Sequence, residues 1–372
     1  MCTCVTYKNG GFYFGRNMDL EYSFGECVAV TPRRFPFRFT HMEEQPEHYA
    51  LIGMAAGQEE RVQDAEERPA GGGGRAFPLY AEAVNEKGLC MAGLNFPGNA
   101  YYRKAEAGRK NVATFELIPW ILGMCASVAE AEAELRDINI TEDAFSKTMP
   151  PAQLHWMLAD RDRCLVVESV REGIMVYENL TGILTNNPSF GYHRMNLNNY
   201  LNVTAGYPVS RFCRAESGGR GKIGRTGRTE FFSGEVSSCP PDLVPHSPDL
   251  VPYCQGMGAI GLPGDYSSPS RFVKAAFLRW NSVCGKNEEE NVAQFFHILD
   301  SVAMPRGAVV TQDGKYDITT YSCCVNADTG TYYYKTYGNN RISSVDMKSV
   351  DLDGAALNVY SLERGWDIWK VN

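Results

Sequence analysis

The sequence predicts a layered α+β domain, and three observations carry that expectation. Short runs with period-two apolar patterning, the mark of half-buried strands, occupy both ends of the chain. Two later stretches carry apolar residues at helical spacing. The order of segments is strands, helices, strands, a long loop, helices and strands, without the βαβ alternation of a parallel sheet. With 372 residues, 44 % of them hydrophobic, the chain can bury a sizeable core without disulfide staples. Length alone suggests one large domain or two ordinary ones.

The elements follow in order. Residues 2–8 and 11–16 flank Asn9-Gly10-Gly11, a hairpin signal because glycine accepts positive φ. A third strand spans 27–31 and stops at Pro32. Residues 57–76 are polar and end in glycines 71–74, so they read as a surface loop. Residues 89–94 form a short apolar strand. Residues 112–137 are helical in pattern, with a break expected near Pro119. Strands at 153–159, 164–168 and 174–177 precede a turn at Asn186-Asn187-Pro188 and a short helix within 191–202. Residues 214–256 are basic and glycine-rich, then proline-rich with a repeated PDLVP, and read as a long loop. Phe272, Val273, Ala276, Phe277 and Trp280 make one apolar helix face, and Val292, Phe295, Phe296, Leu299 and Val302 another. Ser268 or Ser270 can cap the first of these helices, and Pro269 suits its first turn. Strands around 318–326, 330–337 and 341–346 close the chain, with Tyr332 and Tyr334 alternating.

Composition removes several function classes. A net charge of −8 argues against nucleic-acid binding. No run reaches the ~18 apolar residues of a membrane span. The start, MCTCVTYKNGG, lacks the basic and apolar regions of a secretory signal, so a cytoplasmic location with reduced thiols is expected for the 12 cysteines. Neither the Cys2-Thr3-Cys4 nor the Cys323-Cys324 spacing is that of a zinc site, and the six histidines show no ligand spacing, so no metal or cofactor is expected.

Cysteine at position 2 is the first chemical signal. Once Met1 is removed, Cys2 carries a thiol and an α-amine on one residue. Their ordinary pKa values, about 8.5 and about 8, let the amine take the thiol proton near neutral pH. Arg16 and Asp19 follow the second strand: a guanidinium near the thiol favours thiolate, and a carboxylate can orient the amine. Taken on charge pattern alone, the two read rather as a surface ion pair. Asn95 and Asn186 each end an apolar run, where an asparagine serves as turn chemistry or as an oxyanion donor. Arg271 opens a helix, where a cation opposes the dipole; a carboxylate partner or an anionic site would compensate, the alternative being simple exposure to water. Met18, Leu20 and Phe24 are candidates for an apolar pocket wall, or for ordinary core.

Together these segments resemble a family. Cys2, FGRNMDLEYSF, NEKGL with AGLNFPG, LTNNPSF, GLPGDYSSPSRF and a late NNRI are similar, in order, to the bile salt hydrolases. These choloylglycine hydrolases are N-terminal-nucleophile enzymes related to penicillin V acylases. The resemblance implies an αββα four-layer sandwich, one domain over residues 1–372 and assembly as a homotetramer. It implies Cys2 as nucleophile, Arg16 beside its thiol, Asp19 holding the α-amine, Asn95 and Asn186 at the oxyanion, and Arg271 as a further active-site arginine. The implied substrates are glycine- and taurine-conjugated bile salts, cleaved at the amide without a cofactor. Asparagine at position 95 favours this branch over the penicillin acylases, which tend to tyrosine. The long segments 57–76 and 214–256 and a cysteine at position 4, where glycine is familiar, depart from the pattern. Cys4 is either an inert core thiol or a partner for oxidation of Cys2. The basic run Arg214, Arg220, Lys222, Arg225 and Arg228 is a candidate for steering anionic substrates, or a solvated loop.

Other readings stay open at this point. They are penicillin V acylase or another N-acyl amide hydrolase, acyl-homoserine lactone cleavage, a catalytically silent scaffold, and a Cys–His protease using His155, His193 or His297.

Overall fold

The chain opens as a hairpin. In the computed structural model, which describes residues 1–56, 78–146, 149–208 and 252–372, β1 (Cys2–Asn9) pairs antiparallel with β2 (Gly11–Leu20). Gly10 turns between them at φ 67°, a conformation side chains disfavour. There follow β3 (Glu26–Thr31), β4 (Leu51–Ala56), β5 (Tyr80–Asn85), β6 (Cys90–Asn95) and β7 (Lys110–Ala113). A 3₁₀ turn leads into α1 (Leu117–Met124) and α2 (Val128–Leu135). Next come β8 (Ile138–Thr141), β9 (Leu154–Ala159), β10 (Cys164–Val170), β11 (Gly173–Glu178), β12 (Ile183–Leu184) and α3 (Phe190–Asn196). The last part holds α4 (Ser268–Asn281), α5 (Glu288–Asp300), β13 (Val309–Val310), β14 (Tyr316–Asn326), β15 (Thr331–Thr336), β16 (Asn339–Asp346) and β17 (Asn358–Ser361).

Two antiparallel sheets result. The first runs β12-β1-β2-β14-β15-β16, with β13 beside β14; the second runs β11-β10-β9-β6-β5-β4-β3-β17. Helices α4 and α5 pack on the first sheet, and α1 packs on β4, β5 and β6 of the second. The layers are therefore helix, sheet, sheet, helix, the four-layer αββα arrangement. Side-chain alternation sorts the second sheet between two cores. Ile52, Met54, Met157 and Ala159 join the core shared with β1 and β2, whereas Leu51, Ala55, Trp156 and Leu158 face α1 and α2. Both faces are dry, so these strands are nearly unbroken apolar runs.

Three local readings need correction. The segment 112–137 is not one helix: Val112 and Ala113 belong to β7, and Pro119 sits in the first turn of α1, where a missing N–H costs no helical bond. The break comes at 125–127, where the Ser127 side chain accepts the Glu130 N–H and caps α2. The N-cap position of α4 is Ser267, whose side chain makes no capping hydrogen bond, and the Ser268 and Ser270 hydroxyls turn to Thr185 and Asp265. Strands β4 and β5 escaped the sequence reading because glycine, alanine and glutamate dilute their patterns. Gly53 has a reason: a Cβ there would stand 2.1 Å from the Glu82 carbonyl oxygen on the neighbouring strand.

Residues 1–197 and 263–372 form one compact unit and residues 198–262 a second. Within the second, the Thr204 N–H donates to the Gly258 carbonyl at 2.8 Å. The loop expected at 57–76, and residues 214–251 of the other with their basic run, lie outside the described residues. No helix among the described residues is long and apolar enough to cross a membrane.

Candidate active site

Sheet register builds the site. The β1–β2 ladder sets Cys2 opposite Met18 and Cys4 opposite Arg16. The Cys2 Sγ lies 3.8 Å from the Met18 Sδ, and the Arg16 Nη2 reaches the same sulfur at 3.6 Å. Thiol and guanidinium thus meet across a thioether. Arg16 is fully buried; its Nη1 donates to the Gly93 carbonyl at 2.6 Å and the Ala81 carbonyl at 3.3 Å, and faces the Glu82 Oε2 at 3.6 Å. Burial works against its charge, but Cys2, Tyr321 and Glu82 around it hold its pKa above the ordinary value. Cys4 is also fully buried, and burial pushes its thiol well up, so it is an inert core group.

Asn186 is the hub of the second half. Its Oδ1 accepts the Cys2 N–H at 2.8 Å and the Arg271 Nη2 at 2.8 Å, and its Nδ2 donates to the Asn95 carbonyl at 2.8 Å. Two donors on one side and an acceptor on the other fix which way the amide faces. Its backbone is held as firmly: the Ser268 hydroxyl accepts its N–H at 2.9 Å, and the His193 Nε2 donates to its carbonyl at 2.8 Å. Arg271 spends its fork on the chain start, donating to the Cys2 carbonyl at 2.5 Å and the Thr3 hydroxyl at 2.6 Å, while Nε binds the Tyr266 carbonyl.

Asp19 is the anionic partner that a cation at the start of α4 called for, its Oδ2 lying 3.9 Å from the Arg271 Nη1. The Asp19 Oδ1 accepts the Thr319 hydroxyl at 2.6 Å, but Oδ2, although buried, accepts no hydrogen bond. Burial lifts the Asp19 carboxyl above its usual range, and Arg271 pulls against that. Met1 prolongs the ladder: the Asp19 N–H donates to its carbonyl at 2.8 Å, and its ammonium donates to the Asp19 carbonyl at 2.5 Å and pairs with Asp317 at 3.2 Å. The amine of the unprocessed chain therefore meets the Asp19 backbone and not its carboxylate.

Beside Cys2 opens a cavity of about 230 Å³, at the rim of the two sheets. Arg16, Met18, Leu20, Phe24 and Asn95 line it, which brings the wall residues expected from sequence to the thiol. Tyr22, Leu79, Phe115, Ile118, Phe145 and Pro151 complete a mostly apolar wall that sequence reasoning did not find. They come from four separate segments, so no local pattern marks them. Glu82 was also missed; its one signal is an acid inside the apolar run YAEAV. None of the three candidate histidines lines the cavity: His155 and His193 are buried, stacked on Phe96 and Phe272, and His297 is exposed on α5.

The comparison with known proteins decides the family. A family model described as linear amide C–N hydrolases, choloylglycine hydrolase family, matches residues 2–217 and 234–360. The chain belongs to the choloylglycine hydrolase family. A relative named bile salt hydrolase/transferase from Lactiplantibacillus plantarum is 41 % identical over 372 residues, covering 100 % of both chains. A second of that name, from Clostridium perfringens, is 34 % identical over 377 residues, again covering 100 % of both. Among solved structures, a conjugated bile acid hydrolase from Clostridium perfringens matches with a TM-score of 0.79 at 33 % identity over 100 % of both chains. A penicillin V acylase from Agrobacterium tumefaciens matches with a TM-score of 0.67 at 17 % identity, covering 98 % of this chain and 92 % of its own. That likeness speaks to the N-terminal-nucleophile fold alone.

Proposed function

We propose that this chain hydrolyses the amide bond of glycine- and taurine-conjugated bile salts, with Cys2 as an N-terminal nucleophile after removal of Met1. One observation carries the reading: the Cys2 sulfur stands at the end of an apolar cavity while Asn186 grips the nitrogen of the same residue. The names of the relatives at 41 % and 34 % identity supply the substrate class. The family match, spread over two segments from residue 2 to residue 360, supports treating the chain as one catalytic domain.

The chemistry runs as acyl transfer. The α-amine of Cys2 takes the thiol proton, and the thiolate, favoured by Arg16, forms a bond to the amide carbonyl carbon. The Asn186 amide nitrogen carries two hydrogens; Asn95 takes one, and the second, with the Asn95 region, receives the oxyanion. The carbon–nitrogen bond then breaks as the ammonium returns its proton to the departing glycine or taurine nitrogen. Water, deprotonated by the same amine, cleaves the thioester and restores the thiol. Asp19 has a buried oxygen in want of a donor, which suits it to hold the liberated amine. Arg271 fixes the Cys2 carbonyl and Asn186 in one grip. Met18, Leu20 and Phe24 wall the sterol site. The relatives' names also carry "transferase"; an amine replacing water at the thioester is the same chemistry with another acceptor.

The test pairs intact mass with turnover. Protein lacking Met1 should release glycine from glycocholate and taurine from taurocholate, and Cys2→Ala should not. Faster turnover of penicillin V than of either bile salt would move the reading to the acylase branch. A cytoplasmic homotetramer is part of the proposal, and sedimentation of the intact protein reads the assembly.

A further inference from the structure

Arg16 has a second neighbour whose chemistry the mechanism above does not use. Glu82, on β5 of the second sheet, crosses the space between the sheets and is 2 % exposed. Its Oε1 accepts the Tyr332 hydroxyl at 2.6 Å and the Cys323 thiol at 3.5 Å, and its Oε2 accepts the Tyr321 hydroxyl at 2.9 Å. The Arg16 Nη1 stands 3.6 Å from that Oε2. Burial lifts the Glu82 carboxyl above its ordinary range, but Arg16 and the hydrogens that every partner offers pull against that and favour the carboxylate. Among the described residues, Glu82 is the one acid within ion-pair distance of Arg16.

We propose that Glu82 is a positioning residue, the standing counter-ion of Arg16, which keeps that buried cation paired throughout the reaction and tempers its pull on the Cys2 thiol. The cycle explains the need. The sulfur is charged only as thiolate; as thiol and as thioester it is neutral. A guanidinium with no exposed surface would then keep only carbonyl partners and no countercharge, a costly state. With Glu82 present, Arg16 is paired at every stage, and the thiolate shares a cation already half satisfied. Tempering also helps reactivity, because a thiolate loses nucleophilicity as its pKa falls and attacks best with a pKa near the ambient pH. The charged and titratable groups around this arrangement are few. Facing Glu82 are Arg16 from β2, Cys4 from β1, Tyr321 and Cys323 from β14 and Tyr332 from β15. Facing Cys2 are Arg16, Arg271 from α4, and the chain-start amine, with Asp19 behind Arg271.

The inference takes from the proposed function only that Cys2 is the reacting thiol, and its test needs no turnover. Processed full-length protein is alkylated with iodoacetamide across a pH series, and the rate at Cys2 is read from the mass of the N-terminal peptide. Glu82→Gln removes the negative charge, so Arg16 acts on the sulfur undivided and the alkylation midpoint should fall by about one pH unit. Glu82→Met is a second neutral replacement, in case the glutamine amide disturbs the tyrosine hydroxyls; whichever folds, as judged by its melting curve, gives the reading. Glu82→Asp keeps the charge and should stay near the wild-type midpoint. An unmoved or raised midpoint in a folded neutral variant overturns the proposal, and so does an equal fall in Glu82→Asp. If bile salts are not turned over but the midpoint falls, the counter-ion role stands and the substrate reading fails.

Discussion

The Asn186 side-chain oxygen accepts the backbone N–H of Cys2 across 184 residues of sequence, at 2.8 Å. The same oxygen takes a bond from Arg271, so its orientation does not depend on the substrate. The amide is therefore set before any substrate arrives. Its remaining hydrogen is the candidate oxyanion donor. Asn186→Ala should lower kcat for glycocholate by about 10²–10³-fold, the usual cost of one such donor, with a smaller change in KM. Steady-state kinetics on processed protein measure it. A change confined to KM would take Asn186 out of the oxyanion role.

Retention of Met1 should abolish most activity. The amine then belongs to Met1, which binds the Asp19 carbonyl and Asp317, and the Cys2 nitrogen is an amide with no basicity. Loss of the general base predicts a fall of about 10²–10⁴-fold. Fractions separated by intact mass and assayed one against another check this.

Wall substitutions should act on binding and leave the chemistry alone. Phe24 and Leu20 are partly buried and line the cavity. Trimming Phe24 to alanine removes apolar contact worth about 1–2 kcal/mol, so KM for conjugated bile salts should rise roughly tenfold with kcat nearly unchanged. A matching loss of kcat would show that the wall positions the amide as well.

His193 should make the fold acid-sensitive. Burial holds its pKa down at about 4, below the ordinary 6.5, so the folded chain resists the proton that the unfolded chain accepts. Its stabilising share is complete above about pH 6.5 and is lost as the pH falls towards 4, in total about 3 kcal/mol. His193→Gln keeps a donor for the Asn186 carbonyl but cannot titrate. Denaturant melts at neutral pH and near pH 5 should differ less for this variant than for wild type.

Much of this was legible in the chain. The hairpin is legible in Asn9-Gly10-Gly11; β2, however, runs on past residue 16 to Leu20, so alternation turns Arg16 and Met18 to the thiol and Asp19 to the opposite face, against Arg271. Asn186 and Arg271 were visible as odd residues at segment ends. What stayed hidden needed tertiary knowledge. Glu82 looks like a surface acid until the first sheet covers it with two tyrosines. Tyr22, Phe115 and Phe145 meet only because three distant segments converge at one rim. The N-cap position of α4 was misread because Ser267, Ser268 and Ser270 are equivalent locally, and only their partners Asn186 and Asp265 separate them.

The cavity is rigid at one end and changeable at the other. Cys2, Arg16 and Gly93 belong to paired strands, whereas Tyr22, Phe24, Met149, Pro150 and Pro151 stand on connecting segments. On the proposed reading, the reacting end thus rests on hydrogen-bonded strands, and only part of the wall, beyond Met18 and Leu20, on connections. On that reading, exchanges on those connections should alter which acyl body is admitted more than how its amide is cut.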